Sequence, residues 1–382
     1  MTRTKGERGD READDAYEVR RYAPGDRNGV LALDQIVWGR PRGADWFVWK
    51  YVDNPYVDHV PIFVAERDGE IVGARPFMAF RIRSGDRTAL ALQPSDTMVH
   101  PDHRRRGLFS RMTARAVDYY AERDAAFFFN FPNELSRAGY LKLGWRDAGL
   151  RTTFYRVQDP ESLAPSRAGG AGRAVARLAT PLARGYCLAR DRRSDSSDGI
   201  AIERHADVPA DLLASLYERR VPDRLHALRE PRFYRWRFAS PVWNRTTYVA
   251  RRDGTPVAGL VARTRTTTDG VTVSQFAEIV PLVGDRDWLA ALSRLFDVAL
   301  AGHAASDLVA VAAGGVPRNF LVRRGFLPDD APPLSVLKRS RCTIVARPLR
   351  DDLEEDDAWT LNGRSLVERD SWLLSFGERD TT

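Results

Sequence analysis

The run His100-Pro-Asp-His-Arg-Arg-Arg-Gly107-Leu-Phe109 sets three permanent positive charges beside a glycine. An apolar, β-branched stretch ending at Val99 leads into it. An amphipathic stretch with Leu108, Phe109, Met112, Ala116, Tyr119 and Tyr120 on one helical face leads out. A strand, a tight turn and a helix start in that order leave unpaired N–H groups at the positive end of the helix dipole. That is chemistry for seating a phosphate or pyrophosphate. His100 and His103 flank Pro101-Asp102 with no third ligand nearby, so they read as turn residues and no metal site is expected.

The elements that must position this turn follow from period and punctuation. A strand is expected over Tyr17 to Arg21 and a helix over Arg27 to Val37, after Pro-Gly-Asp. An aromatic helical turn, Asp45 to Tyr51, stops before Asn54-Pro55. Pro61 to Glu66 and Glu70 to Phe77 alternate about Arg67-Asp68-Gly69, which reads as a hairpin. A strand from Thr88 to Val99 carries Pro94, the mark of a bulge or an edge. The short aromatic run Ala125 to Phe131 reads as a buried strand parallel to it. Pro132-Asn133-Glu134 opens a short helix that closes at Gly144, and Arg151 to Val157 reads as a further strand.

A chain of 382 residues is too long for one ordinary core, so two domains are expected. No run of eighteen apolar residues and no signal pattern occurs, and the two cysteines, Cys187 and Cys342, make neither a disulfide framework nor a metal cluster. A cytoplasmic protein is the expectation. The net charge is +7, yet the arginines alternate with Asp and Glu through most of the chain, which argues against nucleic acid as a partner. Arg167 to Arg193 is more basic. Its helical pattern over Ala174 to Leu188 reads as a connection between domains rather than a membrane-binding helix.

The second half echoes the first. Val64-Ala-Glu-Arg-Asp-Gly-Glu-Ile-Val72 returns as Val249-Ala-Arg-Arg-Asp-Gly-Thr-Pro-Val257, and Trp46-Phe-Val-Trp49-Lys-Tyr51 returns as Phe233-Tyr-Arg-Trp236-Arg-Phe238. Gly144-Trp145 returns as Gly325-Phe326. The expected division is a disordered tail over 1–16, a first domain over 17–160, a linker over 161–200, a second copy over 201–346 and a C-terminal extension over 347–382. The apolar groups of that extension, from Trp359 to Phe376, are expected to dock on the body.

The order β-α-α-β-β-β-α-β-α-β, with a basic glycine turn between the fourth strand and its helix, resembles the GNAT superfamily of acyl-CoA-dependent N-acyltransferases. The family's turn is Gln/Arg-x-x-Gly-x-Gly/Ala, matched here by Arg104-Arg-Arg-Gly107-Leu-Phe109 except at Phe109, whose ring must turn away into the core. A second family signature, an Asn seven residues before a Tyr that precedes Gly-aromatic, is matched by Asn133, Tyr140 and Gly144-Trp145. The fold class implied is α/β with a mixed sheet, in two tandem GNAT-like domains.

The resemblance implies roles. Arg104, Arg105, Arg106, Gly107, Leu108, Phe109 and Ser110 would hold the pyrophosphate of acetyl-CoA. The strand with Thr97, Met98 and Val99 would hydrogen-bond the pantetheine amides, and Asn133 would face that arm. Tyr140 would protonate the departing thiolate. Asp96 is the first choice of base for the amine, Glu134 the second. The C-terminal carboxylate, here Thr382, is a third candidate through likeness to tandem acetyltransferases of the enhanced-intracellular-survival type. Tyr140 could also be a core aromatic and Asn133 an N-cap.

The second copy has Val283-Gly-Asp-Arg-Asp287 in place of the turn, Leu321 at the position of Tyr140 and Gly314 at that of Asn133. It is expected to shape substrate binding rather than hold acetyl-CoA, with Glu278 contacting a cationic acceptor. The function implied is acyl transfer to an amine, small or protein-borne. A non-catalytic acyl-CoA sensor and an aminoacyl transferase of the peptidoglycan type are the alternatives, the latter having no need of the intact turn.

Overall fold

The computed structural model describes residues 16–39, 42–164, 170–191, 199–312, 314–337, 342–350 and 354–380. The expected disordered tail therefore lies almost wholly outside the described residues, as does Thr382. Two compact units are present. Of the described residues, those within 16–82, 88–148 and 344–367 form one, and those within 83–87, 149–343 and 368–380 the other.

In the first unit, β1 (Glu18–Arg21) pairs antiparallel with β2 (Ile62–Arg67), and β2 with β3 (Glu70–Ser84). The hairpin turns on two residues, Asp68 at φ 53° and Gly69 at φ 83°. Positive φ at both central positions is what a type I′ turn requires and what an Asp-Gly pair supplies at least cost. Next come β4 (Arg87–Pro94), β5 (Met98–Val99), β6 (Ala125–Asn130) and β7 (Arg146–Arg151). The expected strand over Thr88 to Val99 is thus broken at Pro94. β4 runs parallel to β6, whereas β5 pairs antiparallel with β3. Helix Leu108–Ala121 packs Tyr120 and Ala116 against Phe63, Phe77 and Phe128, and Trp145 stacks on Phe128 at 5.6 Å between ring centres. Each such ring taken fully out of water contributes roughly 1.5–3 kcal/mol.

The expected strand from Arg151 to Val157 also divides. After β7 and two further residues, β8 (Phe154–Val157) joins the sheet of the second unit, antiparallel to β14 (Leu308–Val311) and β15 (Leu327–Pro328). In return β16 (Cys342–Pro348) lies between β6 and β7. The first sheet runs β1-β2-β3-β4-β6-β16-β7. These units are therefore not contiguous halves of the chain, because each is closed by a strand encoded with the other.

The second unit adds β9 (Ile200–His205), β11 (Asn244–Arg252), β12 (Thr255–Thr266) and β13 (Thr272–Val280), in the order β15-β8-β14-β13-β12-β11-β9, while the short β10 (His226–Ala227) pairs with β3. The repeat is visible at the level of single residues. Its hairpin turns on Asp253 at φ 50° and Gly254 at φ 75°, and its register slips between Ala250 and Arg251, the positions matching Ala65 and Glu66 where the first hairpin slips. A core of Phe276, Leu292, Leu295, Phe296, Leu321 and Phe326 fills the space under helix Arg286–Gly302. The tail from Trp372 to Glu378 is buried in this unit. No helix among the described residues is long and apolar enough to cross a membrane.

Candidate active site

Gly107 caps helix Leu108–Ala121 from the left-handed region, at φ 71°, with no side-chain hydrogen bond to the cap. A Cβ placed there would meet nothing within 4 Å, so the cap is open on that side. Arg105 also has positive φ, at 61°, and the turn from Arg104 to Gly107 is exposed. The helical ladder begins with Arg111 N–H on the Gly107 carbonyl, 3.0 Å, so the N–H groups of Leu108, Phe109 and Ser110 precede it. Those three donors and the positive end of the dipole follow an exposed turn that carries Arg104, Arg105 and Arg106, with Arg104 Nε donating to the Val99 carbonyl at 3.3 Å. His100 and His103 keep the role of turn residues. His103 Nδ1 hydrogen-bonds the Tyr17 hydroxyl at 2.9 Å, and His100 caps the turn through Asp102 N–H.

Upstream, β4 and β6 part company. Their pairing reaches Leu92 opposite Phe128, after which Ser95 N–H turns to the Pro76 carbonyl at 3.0 Å and His100 N–H to that of Val72 at 2.9 Å. Thr97, Met98 and Val99 therefore follow β3 while β6 continues to Asn130. A backbone edge so released is of the kind to which an extended amide-bearing arm adds. Met98 is buried; Thr97 and Val99 are half-buried.

Tyr140, on helix Glu134–Lys142, is 3% exposed. Its ring lies edge-on to Phe109, with centres 5.6 Å apart, and at 5.2 Å from Trp145, so the aromatic body is part of the core as the alternative reading had it. Its hydroxyl oxygen accepts a hydrogen bond from Arg75 Nη1 at 3.0 Å. Arg75 was not among the residues singled out from sequence, although a lone charge inside the apolar run Val72 to Phe80 is a recognisable signal. Phe109, the departure from the family pattern, turns inward over the Arg75 guanidinium at 4.8 Å and against Gly139, where a Cβ would meet its ring at 3.0 Å.

Asn133 is an N-cap. Its side-chain oxygen accepts from Ser136 N–H at 2.9 Å, and the residue is exposed. Glu134, beside it in the first helical turn, is also exposed.

Asp96 sits at φ 39° in the break between β4 and β5. Its carboxylate is bonded to Lys50 Nζ, to Arg42 Nη1 at 2.9 Å and to the Tyr51 hydroxyl at 2.9 Å. Burial alone would raise its pKa, but the charges of Lys50 and Arg42 outweigh that and hold it at about 2. A carboxylate so committed has little tendency to take a proton from an ammonium, which counts against the base expected from sequence.

In the second unit the equivalent helix start is already satisfied. Asp285 caps helix Arg286–Gly302 by accepting from Asp287 and Trp288 N–H at 3.1 and 3.2 Å, placing an internal carboxylate where an external anion would sit. Where β13 and β14 part, Leu373, Leu374 and Ser375 of the C-terminal tail pack in, leaving a cavity of only 20 Å³. Glu278, expected to meet a cationic acceptor, is fully buried and bonded to Arg229 Nη2 at 2.9 Å and Ser375 Oγ at 2.9 Å. Its cation is internal.

The stretch 18–148 matches the family described as acetyltransferase (GNAT) domain. The match covers that stretch of the first unit, and the fold of the whole chain is that of a tandem pair of GNAT-like units. A GCN5-related N-acetyltransferase from Anabaena variabilis superposes with a TM-score of 0.60 at 11% identity, covering 87% of this chain and 73% of that one. Eis1 from Mycobacterium abscessus gives 0.52 at 14% identity over 87% and 73%. A tandem GNAT protein from the clavulanic acid biosynthesis pathway gives 0.52 at 16% identity over 87% and 98%. Identities this low speak for a shared fold and not for a shared substrate. No curated protein sequence matches the chain.

Proposed function

We propose that the protein is an N-acyltransferase that moves an acetyl group from acetyl-CoA to an amine within a ternary complex. The observation that carries this reading is the helix start at Gly107, which has no side-chain cap, preceded by Arg104, Arg105 and Arg106 and following the parting of strands β4 and β6. The N–H groups of Leu108, Phe109 and Ser110 bind the pyrophosphate, and the backbone of Thr97, Met98 and Val99 binds the pantetheine amides. An N–H near Met98 polarises the thioester carbonyl and stabilises the oxyanion as the amine attacks. Asn133 caps the helix that carries Tyr140, and the Tyr140 hydroxyl gives its proton to the departing sulfur. With Asp96 bound to Lys50 and Arg42, the attacking amine sheds its proton to water.

The test is calorimetric titration with acetyl-CoA. Micromolar affinity is expected for the wild-type protein, and none for Gly107→Glu, which adds a negative side chain at the phosphate seat in a backbone conformation that disfavours it. Equal binding by both would sink the assignment. A screen of amine acceptors, followed by thiol release, then identifies the acceptor.

A further inference from the structure

Arg75 lies in the middle of β3 with no exposed surface. Its Nη1 donates to Thr97 Oγ1 at 2.6 Å and to the Tyr140 oxygen at 3.0 Å, while Nε and Nη2 have no hydrogen-bond partner. Among the described residues no carboxylate pairs with it. The guanidinium carbon instead stands 4.8 Å from the Phe109 ring centre, 5.0 Å from that of Tyr140 and 5.6 Å from that of Phe77. Burying a charge without a counter-ion is costly, and the aromatic faces return part of that cost. An apolar side chain of the same length would serve the core better. The position calls for a role that needs the charge.

The direction of the hydrogen bond supplies one. A guanidinium can only donate, so the Tyr140 oxygen is the acceptor and its own proton is left for another partner. Resting on the acyl-transfer reading above, we propose that Arg75 is a positioning residue for Tyr140: it aims the phenol proton at the leaving sulfur and steadies the phenolate once that proton is gone. The amine nitrogen bonds to the thioester carbon, the C–S bond then breaks, and sulfur takes the Tyr140 proton. The phenolate, held by a charge-assisted hydrogen bond from Nη1, recovers a proton through water from the one shed by the nitrogen. Phe109 belongs to the same device. Its ring covers the guanidinium and braces Tyr140, which gives a reason for an aromatic residue where the family pattern has glycine or alanine.

The experiment is a double-mutant cycle on the full-length chain with Arg75→Met, Tyr140→Phe and the pair, reading acetyl-CoA affinity by calorimetry and kcat by thiol release. Arg75→Met is expected to leave the affinity within about twofold and to lower kcat about tenfold, less than the roughly 10²–10⁴-fold of a general acid because Tyr140 itself remains. In the Tyr140→Phe background the same change should alter kcat by less than about twofold, because the proton it serves is gone. Equal losses in both backgrounds, or a loss confined to affinity, would overturn the proposal. Should Arg75→Met fail to fold, Arg75→Lys, which keeps the charge but not the geometry, is put through the same cycle and judged by the same ratio. A wild-type protein that neither binds acetyl-CoA nor releases thiol would instead overturn the acyl-transfer reading and this proposal with it.

Discussion

Gly314 stands so close to Leu374 that a Cβ on it would lie 2.6 Å from the Leu374 carbonyl oxygen and 2.9 Å from its nitrogen. The C-terminal segment thereby occupies, in the second unit, the place where β13 and β14 part. Backbone atoms cannot swing aside as a flexible side chain can, so Gly314→Val should destabilise the protein by about 1–3 kcal/mol. Thermal unfolding followed by circular dichroism would show it, and an unchanged melting temperature would refute the close fit.

The tail is held by charge as well as packing. Arg229 is shared between Glu278 and Glu378, all three fully buried, and the tail backbone is bound by Arg237 through the Gly377 carbonyl at 2.7 Å and the Arg379 carbonyl at 2.6 Å. Removing one acid of such a group costs about 3 kcal/mol or more, so Glu378→Ala should show at least that loss in urea titrations. Retained stability would mean that Glu378 adds nothing to the hold of Arg237 and of the tail's apolar residues.

Two buried carboxylates on one guanidinium titrate differently. Burial raises Glu278 to about 7, with Glu378 adding to it against the pull of Arg229, while Glu378 is held at about 2. The folded protein therefore holds a proton on Glu278 that the unfolded chain, with glutamate near 4.5, has lost. Stability from this group is present below the unfolded value and falls as pH rises from about 4.5 to about 7. Glu278→Gln should flatten that decline. Parallel curves for mutant and wild type between pH 5 and 8 would exclude Glu278 as its source.

Asp96 has the opposite sign. With its folded value at about 2, its contribution is present above the unfolded aspartate value of 3.8 and is lost as pH falls toward 2. Asp96→Asn leaves Lys50, which has no exposed side-chain surface, short of its counter-charge, and should lose about 3–5 kcal/mol at neutral pH. A variant that kept full stability yet lost its activity would restore Asp96 as the catalytic base.

Much of the fold was legible because its signals are local. Asp68-Gly69 and Asp253-Gly254 specify two-residue turns from their own backbone preferences, and each hairpin carries the same bulge because the same residues surround it. The turn from Arg104 to Gly107 was legible for the same reason: a glycine at a helix start is a property of a few consecutive residues. The partners of Asp96 were not legible, because its neighbours in sequence, Ser95 and Thr97, say nothing of Arg42 and Lys50, which reach it from 54 and 46 residues away.

By itself the sequence determined the α/β class, the duplication, the basic turn and the spacing of Asn133 and Tyr140, all of which depend on contacts within a strand, a turn or a helix. Tertiary structure decided the rest. Which sheet β8 and β16 complete, what fills the cleft of the second unit, and whether a carboxylate is free to act depend on groups far apart in the chain. Arg75 and Tyr140, 65 residues apart, are the clearest case. A hydrogen bond of that kind leaves no period in the sequence, because its partners are chosen by packing and by the cost of burying a charge.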